Sequence, residues 1–439
     1  MNRQSEKHWM KKSLIAGFAV CPLAAAFWFI SQPKTPEQIL ESRAESFVEL
    51  ATAFAWNKPD EVDMYWGSAS LDLRDEGSAP SLGELLAEAT ALQEEISNEP
   101  LGVDPPREDQ LELRLQNLLT LLEVAQQTVR PTFLEEIQRL YGITLDAIPS
   151  AELQDHVERL EELLPGRGTL AFRIAAYRNR LLVPAEKRKA VFEAALSECR
   201  ERTVQVWELP LNENIELVWS RDTPAAWHSY RGNGKSVITL NDLSLAFLDS
   251  AIDVACHEAY PGHHTQYTLR EFQAGTDGLN IEDSLVLLRS PESVLLEGTA
   301  NLGIDLVFPA QERIQFERDV LAEIAGISHP DAEQYLAIQN TIRELEAAIL
   351  PIVEEYYDGE ISFNTATFRL EREAIISSPS TLLEYVDEFG TYSIGYTLAE
   401  EILRKQIESL PSKAMQWERL LEIVTNPTDN AKRLFESTN

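Results

Sequence analysis

Apolar residues recur along most of this chain with the period of a helix. Leu111, Leu115, Leu118 and Leu122 fall on one helical face. Thr132 followed by Glu135 is a capping-box signature, and Gly142 supplies a stop for the same helix. Pro184 suits the first turn of a helix running to about Arg200. Thr381 with Glu384 forms a second capping box just after Pro379. Two polar stretches read as loops: Gly67 to Ser81, and Asn98 to Asp109 with Pro100, Pro105 and Pro106. Between about Trp207 and Asn241 the period shortens. Glu216 to Trp219 and Ser236 to Asn241 are short β-like runs, and Gly232-Asn233-Gly234 is turn chemistry. Helical patterns return from Leu243 and persist to the end. The pattern predicts a mainly α protein with one small sheet.

The N-terminus departs from this pattern. An almost uncharged run extends from Ser13 to Ile30, SLIAGFAVCPLAAAFWFI. Its length is near the roughly 20 residues that span a bilayer. Arg3, Lys7, Lys11 and Lys12 before it place the N-terminus inside and the bulk of the chain outside. Phe27, Trp28 and Phe29 suit the outer interface. The expected organisation is a cytoplasmic tail over 1–12, a transmembrane anchor or signal segment over 13–31, an N-terminal helical region over 32–205 and a metal-binding catalytic region over 206–439. The rival is secretion after signal cleavage. Ala24-Ala25-Ala26 has the small residues that cleavage needs, but Phe27 to Ile30 continue the apolar run, which favours an uncleaved anchor. At Cys21 a lipid anchor is disfavoured because Val20 is too large.

Composition narrows the partners. Acidic residues outnumber basic ones 72 to 38, for a formal charge of −34 over 439 residues. That field repels nucleic acid and anionic headgroups, so no nucleic acid partner is expected. A solvated acidic surface accounts for most of it, with a bias toward cationic over acidic peptides. Apart from Cys21 the cysteines are Cys199 and Cys256, which make no disulfide framework. Cys256 is expected to be a buried free thiol.

The chemistry gathers at HEAYPGHH. Three of the seven histidines fall here: His257, His263 and His264. The amphipathic stretch from Leu243 places His257 and Glu258 on a helix. In the usual HExxH zinc helix the histidines are one turn apart. Here the fourth position after His257 is Pro261, which cannot ligate. On a straight helix His263 would lie about 9 Å further along the axis, and His264 about 10.5 Å. Pro261 and Gly262 supply the break that shortens the path. A bulge looping out two residues would bring His263 to the missing ligand's place, with His264 behind it or facing substrate; the choice between the two stays open on spacing alone. Downstream, LLEGTANLGIDL places Glu297, Asn301 and Asp305 at successive turns of one helix face. Glu297 is the expected third zinc ligand, leaving a fourth position for water. Asn301 is placed to orient a ligating histidine. Flanking Leu295, Leu296, Leu302 and Leu306 argue for burial, and Gly298 for close packing beside the metal helix. Glu258, next to a ligand, is the expected base.

At these residues the chain resembles the bacterial family known as domain of unknown function 885, which is similar to the helical glutamate-zincin peptidases. The family's HE-x-x-PGHH stands here as His257 to His264, its EGxA as Glu297-Gly298-Thr299-Ala300, and its Tyr-x-x-Gly as Tyr392-Ser393-Ile394-Gly395. The likeness runs from about Trp227 to Arg404. Related zincins close their motif with a Gly-His pair whose histidine ligates, which favours His263. Thr299 stands where the family often carries Trp, and Gly303 where it often carries Tyr. The resemblance implies a helical zincin-like metallopeptidase that binds one Zn2+ through His257, His263 and Glu297 and acts on a peptide substrate. Tyr392, ahead of Tyr396 on a helix from Thr391 to Arg404, is expected to assist at the oxyanion. Ser236 to Asn241 is expected to be an edge strand lining the cleft. The alternatives are a membrane-tethered zincin-like binding module and a hydrolase of non-peptide amides or esters.

Overall fold

The computed structural model describes residues 33–436, except 75–79, 128–129, 146–152, 222–225, 244, 276–277, 329–330, 377 and 393–396. The expected cytoplasmic tail and anchor lie outside the described residues. Among the described residues no helix is long and apolar enough to cross a membrane.

The fold is mainly helical, with two small sheets where the pattern predicts one. The first helices are α1 (Pro36–Asn57), α2 (Leu82–Asn98), α3 (Pro105–Gln126) and α4 (Phe133–Tyr141). The strand β1 (Val62–Tyr65) follows α1. Asp104 caps α3, and Pro105 and Pro106 sit in its first turn, where the missing N–H costs nothing. The predicted loop therefore ends sooner than Asp109. The capping box at Thr132 and the left-handed Gly142 bound α4 as expected. Next come α5 (Gln154–Leu163), α6 (Leu170–Arg178) and α7 (Ala185–Thr203).

A three-stranded sheet then forms from β2 (Asn214–Trp219), β3 (Ala226–Tyr230) and β4 (Lys235–Leu240). The Gly232-Asn233-Gly234 turn joins β3 to β4, with all three residues at positive φ. The strand order is β2-β4-β3, parallel between β2 and β4 and antiparallel between β3 and β4. So β4, expected at the edge, is central, and β2 and β3 are the edges. The alternation of β4 does not reveal how many of its sides are paired.

Two helices carry the histidine motif: α8 (Leu248–Glu258) and α9 (His263–Ala274). After β5 (Leu285–Leu287), which pairs with β1, comes α10 (Pro291–Val307), buried on almost every face. It packs against α8, against α9, and against three later helices. Beyond it run α11 (Ala310–Phe316), α12 (Ala322–Ala325), α13 (Ala332–Leu345), α14 (Ile349–Tyr357), α15 (Phe363–Arg372), α16 (Pro379–Phe389), α17 (Leu398–Glu408), α18 (Lys413–Thr425) and α19 (Pro427–Glu436). Two expectations fail in this part. α16 begins at Pro379, so Thr381 and Glu384 lie inside it and form no capping box. α17 begins at Leu398, so Tyr392 precedes that helix.

Two apolar clusters hold the fold. One joins Leu40–Ile143 to Leu285–Phe435, and the other joins Leu160–Leu269 to Ile304–Val424. Each draws on residues from both sides of position 205.

Cys199 on α7 and Cys256 on α8 are joined by a disulfide, with a Cα–Cα distance of 5.6 Å. This corrects the expectation of a free thiol at Cys256. The pair is separated by 57 residues, so no local spacing signals it. It tethers the helix that carries His257 to the helix behind it. A Cys199→Ala, Cys256→Ala double variant is expected to lose about 2–4 kcal/mol of stability, read as a lower urea midpoint. An unchanged midpoint, with three titratable thiols in the unaltered chain after unfolding rather than the one of Cys21, would show that the pair is not bonded.

Candidate metal centre

The helix broken at Glu258 is what makes the site. The chain turns over Ala259–Gly262 and starts α9 at His263, a full break rather than the expected bulge. The turn is closed by Gly262 N–H donating to Cys256 O at 3.0 Å and by Thr265 N–H and Oγ1 donating to Ala259 O. Gly262 is obligatory, since a Cβ there would lie 1.7 Å from His257 O. Opposite the turn, a Cβ on Gly303 of α10 would meet Pro261 Cγ at 2.7 Å. Gly303 thus lets α10 close on the turn. Gly298, expected to pack beside the metal helix, instead faces the backbone of α17 at Ala399 and Glu400.

This packing brings His257, His263 and Glu297 together, with one potential ligand atom from each lying within 4.8 Å of the others. Glu297 Oε2 lies 3.2 Å from His257 Nε2, and Glu297 Oε1 lies 3.3 Å from His263 Nε2. The two rings are perpendicular, with centroids 4.7 Å apart. Each ring is held from behind. His257 Nδ1 is 2.9 Å from Asn301 Oδ1, an acceptor, so the ring presents its Nε2 lone pair forward when neutral. His263 Nδ1 is 3.1 Å from Gln266 Oε1. The Gln266 amide is fixed in turn by donating to Leu296 O and Thr299 Oγ1, both at 3.0 Å. Tyr392 donates to Glu297 Oε1 at 3.1 Å and accepts from Ser293 at 3.4 Å.

The donor set fits zinc. Two imidazole nitrogens and one carboxylate oxygen, with room for a fourth ligand, are the usual protein share of a catalytic zinc site. Glu297 Oε2 is buried and makes no hydrogen bond beyond its approach to His257 Nε2, as suits an atom that faces a cation between them. Burial disfavours charge on all three groups, yet their mutual attraction prevails. It holds Glu297 well below the usual carboxylate range, raises His257 and pushes His263 up to about 10. Ligation needs neutral imidazoles, so cation binding must displace protons and weakens as the pH falls.

His264 is separated from this set. It is fully buried and engaged at both nitrogens, with Nε2 3.0 Å from Glu213 Oε2 and Nδ1 2.8 Å from Ser236 Oγ. Glu213 also accepts from Tyr260 at 2.6 Å and pairs with Arg200 at 2.6 Å. Burial alone would raise the Glu213 carboxyl, but these partners hold it down to about 2. An ionised Glu213 can only accept, which sets His264 with its proton on Nε2. Ser236 Oγ in turn lies 2.9 Å from His228 Nε2, so the two imidazoles share one hydroxyl. His228 Nδ1 is buried without a hydrogen-bond partner among the described residues. Glu213, Ser236 and His228 were not singled out from the sequence. For His228 and Ser236 the available signal was a polar side chain at a buried strand position; Glu213 precedes β2 and carries none.

A cavity of about 520 Å³ opens over the triad. Among its walls are His228, His257, Glu258, His263, Glu297 and Tyr392. Glu258 is half-buried and raised above the ordinary carboxylate range by burial and by Glu297. Asp63 on β1 also lines it, pushed up to about 7 by burial and by Glu297. Asp63 was missed as well, since nothing near it in the chain resembles a motif. Asp305 is not among these walls; it lines an adjoining cavity with His257, Glu258 and Asn301 and pairs with Arg404 at 2.7 Å. Tyr396 lies outside the described residues.

No family model matches this chain, and no curated protein matches it. Two solved structures are similar in outline. A protein described as a lipoprotein from Colwellia psychrerythraea aligns over 83% of this chain with 17% identity and a TM-score of 0.48, and this chain spans 64% of its length. A protein described as a lipoprotein of unknown function from Shewanella oneidensis aligns over 95% of this chain and 90% of its own, with 11% identity and a TM-score of 0.45. Both likenesses are too distant to transfer a function.

Calorimetric zinc titration of variants checks the ligand set. His257→Ala, His263→Ala and Glu297→Ala are expected to abolish tight binding, while His264→Ala retains it. Asn301→Ala is expected to weaken binding about 10–100-fold. Loss of the metal in His264→Ala with retention in His263→Ala would overturn the assignment.

Proposed function

We propose that this chain is a zinc-dependent hydrolase, and specifically a metallopeptidase. The observation that carries the reading is the convergence of His257, His263 and Glu297, each held from behind, beside the half-buried carboxylate of Glu258 in one cavity. A bound zinc ion would supply Lewis acidity, polarising a carbonyl and acidifying water. The remaining chemistry falls to the chain's own residues. Glu258 takes the proton of the attacking water and returns it to the leaving nitrogen. Its raised affinity for protons suits both steps. A structural metal site would need no such group. Tyr392, whose hydroxyl touches Glu297 Oε1 and which lines the same cavity, would turn toward the developing oxyanion.

The edge strand β3 supplies the substrate track. Ala226, Trp227 and His228 line the cavity, so an extended peptide can pair along β3. The same residues would serve a hydrolase of non-peptide amides or esters, and a peptide-library digest separates the two. We further propose that the catalytic part works outside the cytoplasm, tethered through the segment 13–31. The Cys199–Cys256 disulfide supports this, since such bonds persist mainly in oxidising compartments.

Glu258→Gln keeps the shape and removes the base. It is expected to retain zinc and lose about 10² to 10⁴-fold in hydrolysis, measured as kcat on peptides cleaved by the unaltered chain. Full activity in that variant would refute the assignment.

Tyr392→Phe is expected to lower kcat about a hundredfold with zinc retained. If only zinc affinity falls, the hydroxyl serves Glu297 alone.

A further inference from the structure

The open space at the metal centre does not end at the base. His257 and Glu258 line the cavity of about 520 Å³ over the triad, and they also line the adjoining cavity of about 420 Å³. Among the described residues these two are the only walls that the cavities share. They therefore stand between two spaces, each of a size usual for ligand sites. The burial pattern of two helices gives the same picture independently. From Ala251 to Glu258 of α8, only Asp253, Val254, His257 and Glu258 are not buried, a stripe at helical spacing. On α10, Glu292 to Ala300 are buried, and the first positions to open are Asn301 and Asp305, one turn apart. All six of these residues line the second cavity. Its floor is the open side of the helices that carry His257 and Glu297, continued one turn past those ligands.

Most charges of that floor are matched within the wall. Asp253 pairs with Arg313 and Asp305 with Arg404, each at 2.7 Å. A neutral main chain can lie over such pairs without facing an isolated charge. An enzyme that trims chain ends needs a barrier close to the base, where the free end stops. Here room continues in both directions from Glu258: along β3 in the first cavity, and over α8 and α10 in the second.

We propose that the two cavities are the two arms of one cleft, and that this chain cuts internal peptide bonds, with substrate residues held on both sides of the scissile bond. The inference rests on the peptidase reading and adds the class of bond that is cut.

The test uses the zinc-loaded full chain and a set of peptides of graded length, each made both free and blocked, that is, acetylated at the N-terminus and amidated at the C-terminus. Mass spectrometry of the products gives the bond cut. The blocked peptides are expected to be cut internally. Adding residues on either side of that bond should raise kcat/KM about tenfold, the scale of burying one further apolar side chain. Crowding the second arm should remove the gain on one side only. Two variants do this from different walls, Val254→Trp on α8 and Arg343→Trp on α13, and at least one is expected to keep its zinc. Trimming of free peptides from one end, with the blocked ones intact, overturns the proposal and leaves the peptidase reading standing. A gain from extension on one side alone in the unaltered chain overturns it too. So does a zinc-loaded variant that loses neither gain or both, or loss of zinc from both variants. Failure to cut any peptide, free or blocked, removes the peptidase reading and the proposal with it.

Discussion

A buried carboxylate governs this structure. Glu297 sits in α10, a helix whose other faces pack apolar residues of both clusters. A lone charge there would be prohibitive, and burial would normally neutralise it. His257, His263 and the Tyr392 hydroxyl surround it instead, so the acid stays ionised. Such an arrangement is costly if any partner is lost, because the others then remain buried and unmatched. The convergence of α8, α9 and α10 at this point is therefore tightly constrained.

That convergence depends on backbone contact as much as on charge. Two imidazoles six residues apart cannot meet on an unbroken helix. The break at Ala259–Gly262 lets them, and it requires a residue without a side chain at Gly262. Gly303 removes the obstacle on the other side, where Pro261 would otherwise strike α10. The site is held further by polar groups behind each imidazole. Asn301 and Gln266 orient the rings, and the main-chain and hydroxyl oxygens of Leu296 and Thr299 orient Gln266. The line from Glu213 through His264 and Ser236 to His228 ties the cavity wall to a buried carboxylate. Positioning is thus built outward from rigid helices and a short sheet.

Much of the fold and site was legible in the chain. The capping box at Thr132, the stop at Gly142 and the turn at Gly232–Gly234 are local devices, and they form where the pattern places them. The HEAYPGHH and LEGTAN segments announce their chemistry because ligand types and a helix breaker occur together over a few residues. The spacing also indicates that a straight helix cannot serve. Errors arose where the deciding partner is remote. The Cys199–Cys256 bond spans 57 residues. β4 is central because β2 arrives from one side, which its own alternation cannot register. Gly298 has the same local look as Gly303, yet α17 rather than the histidine turn lies against it.

What the sequence determined by itself was the inventory: a mainly helical chain, a histidine pair interrupted by Pro-Gly, a buried acid one helix later, and a strongly negative surface. These follow from short-range periodicity and side-chain chemistry. Only the tertiary structure decided which histidine faces Glu297 and which faces Glu213, that Asp63 of β1 reaches the same cavity, and that Glu384 joins it from α16. Those outcomes depend on how the elements pack across long stretches of chain. Contacts of that range leave no periodic trace in the residues that make them.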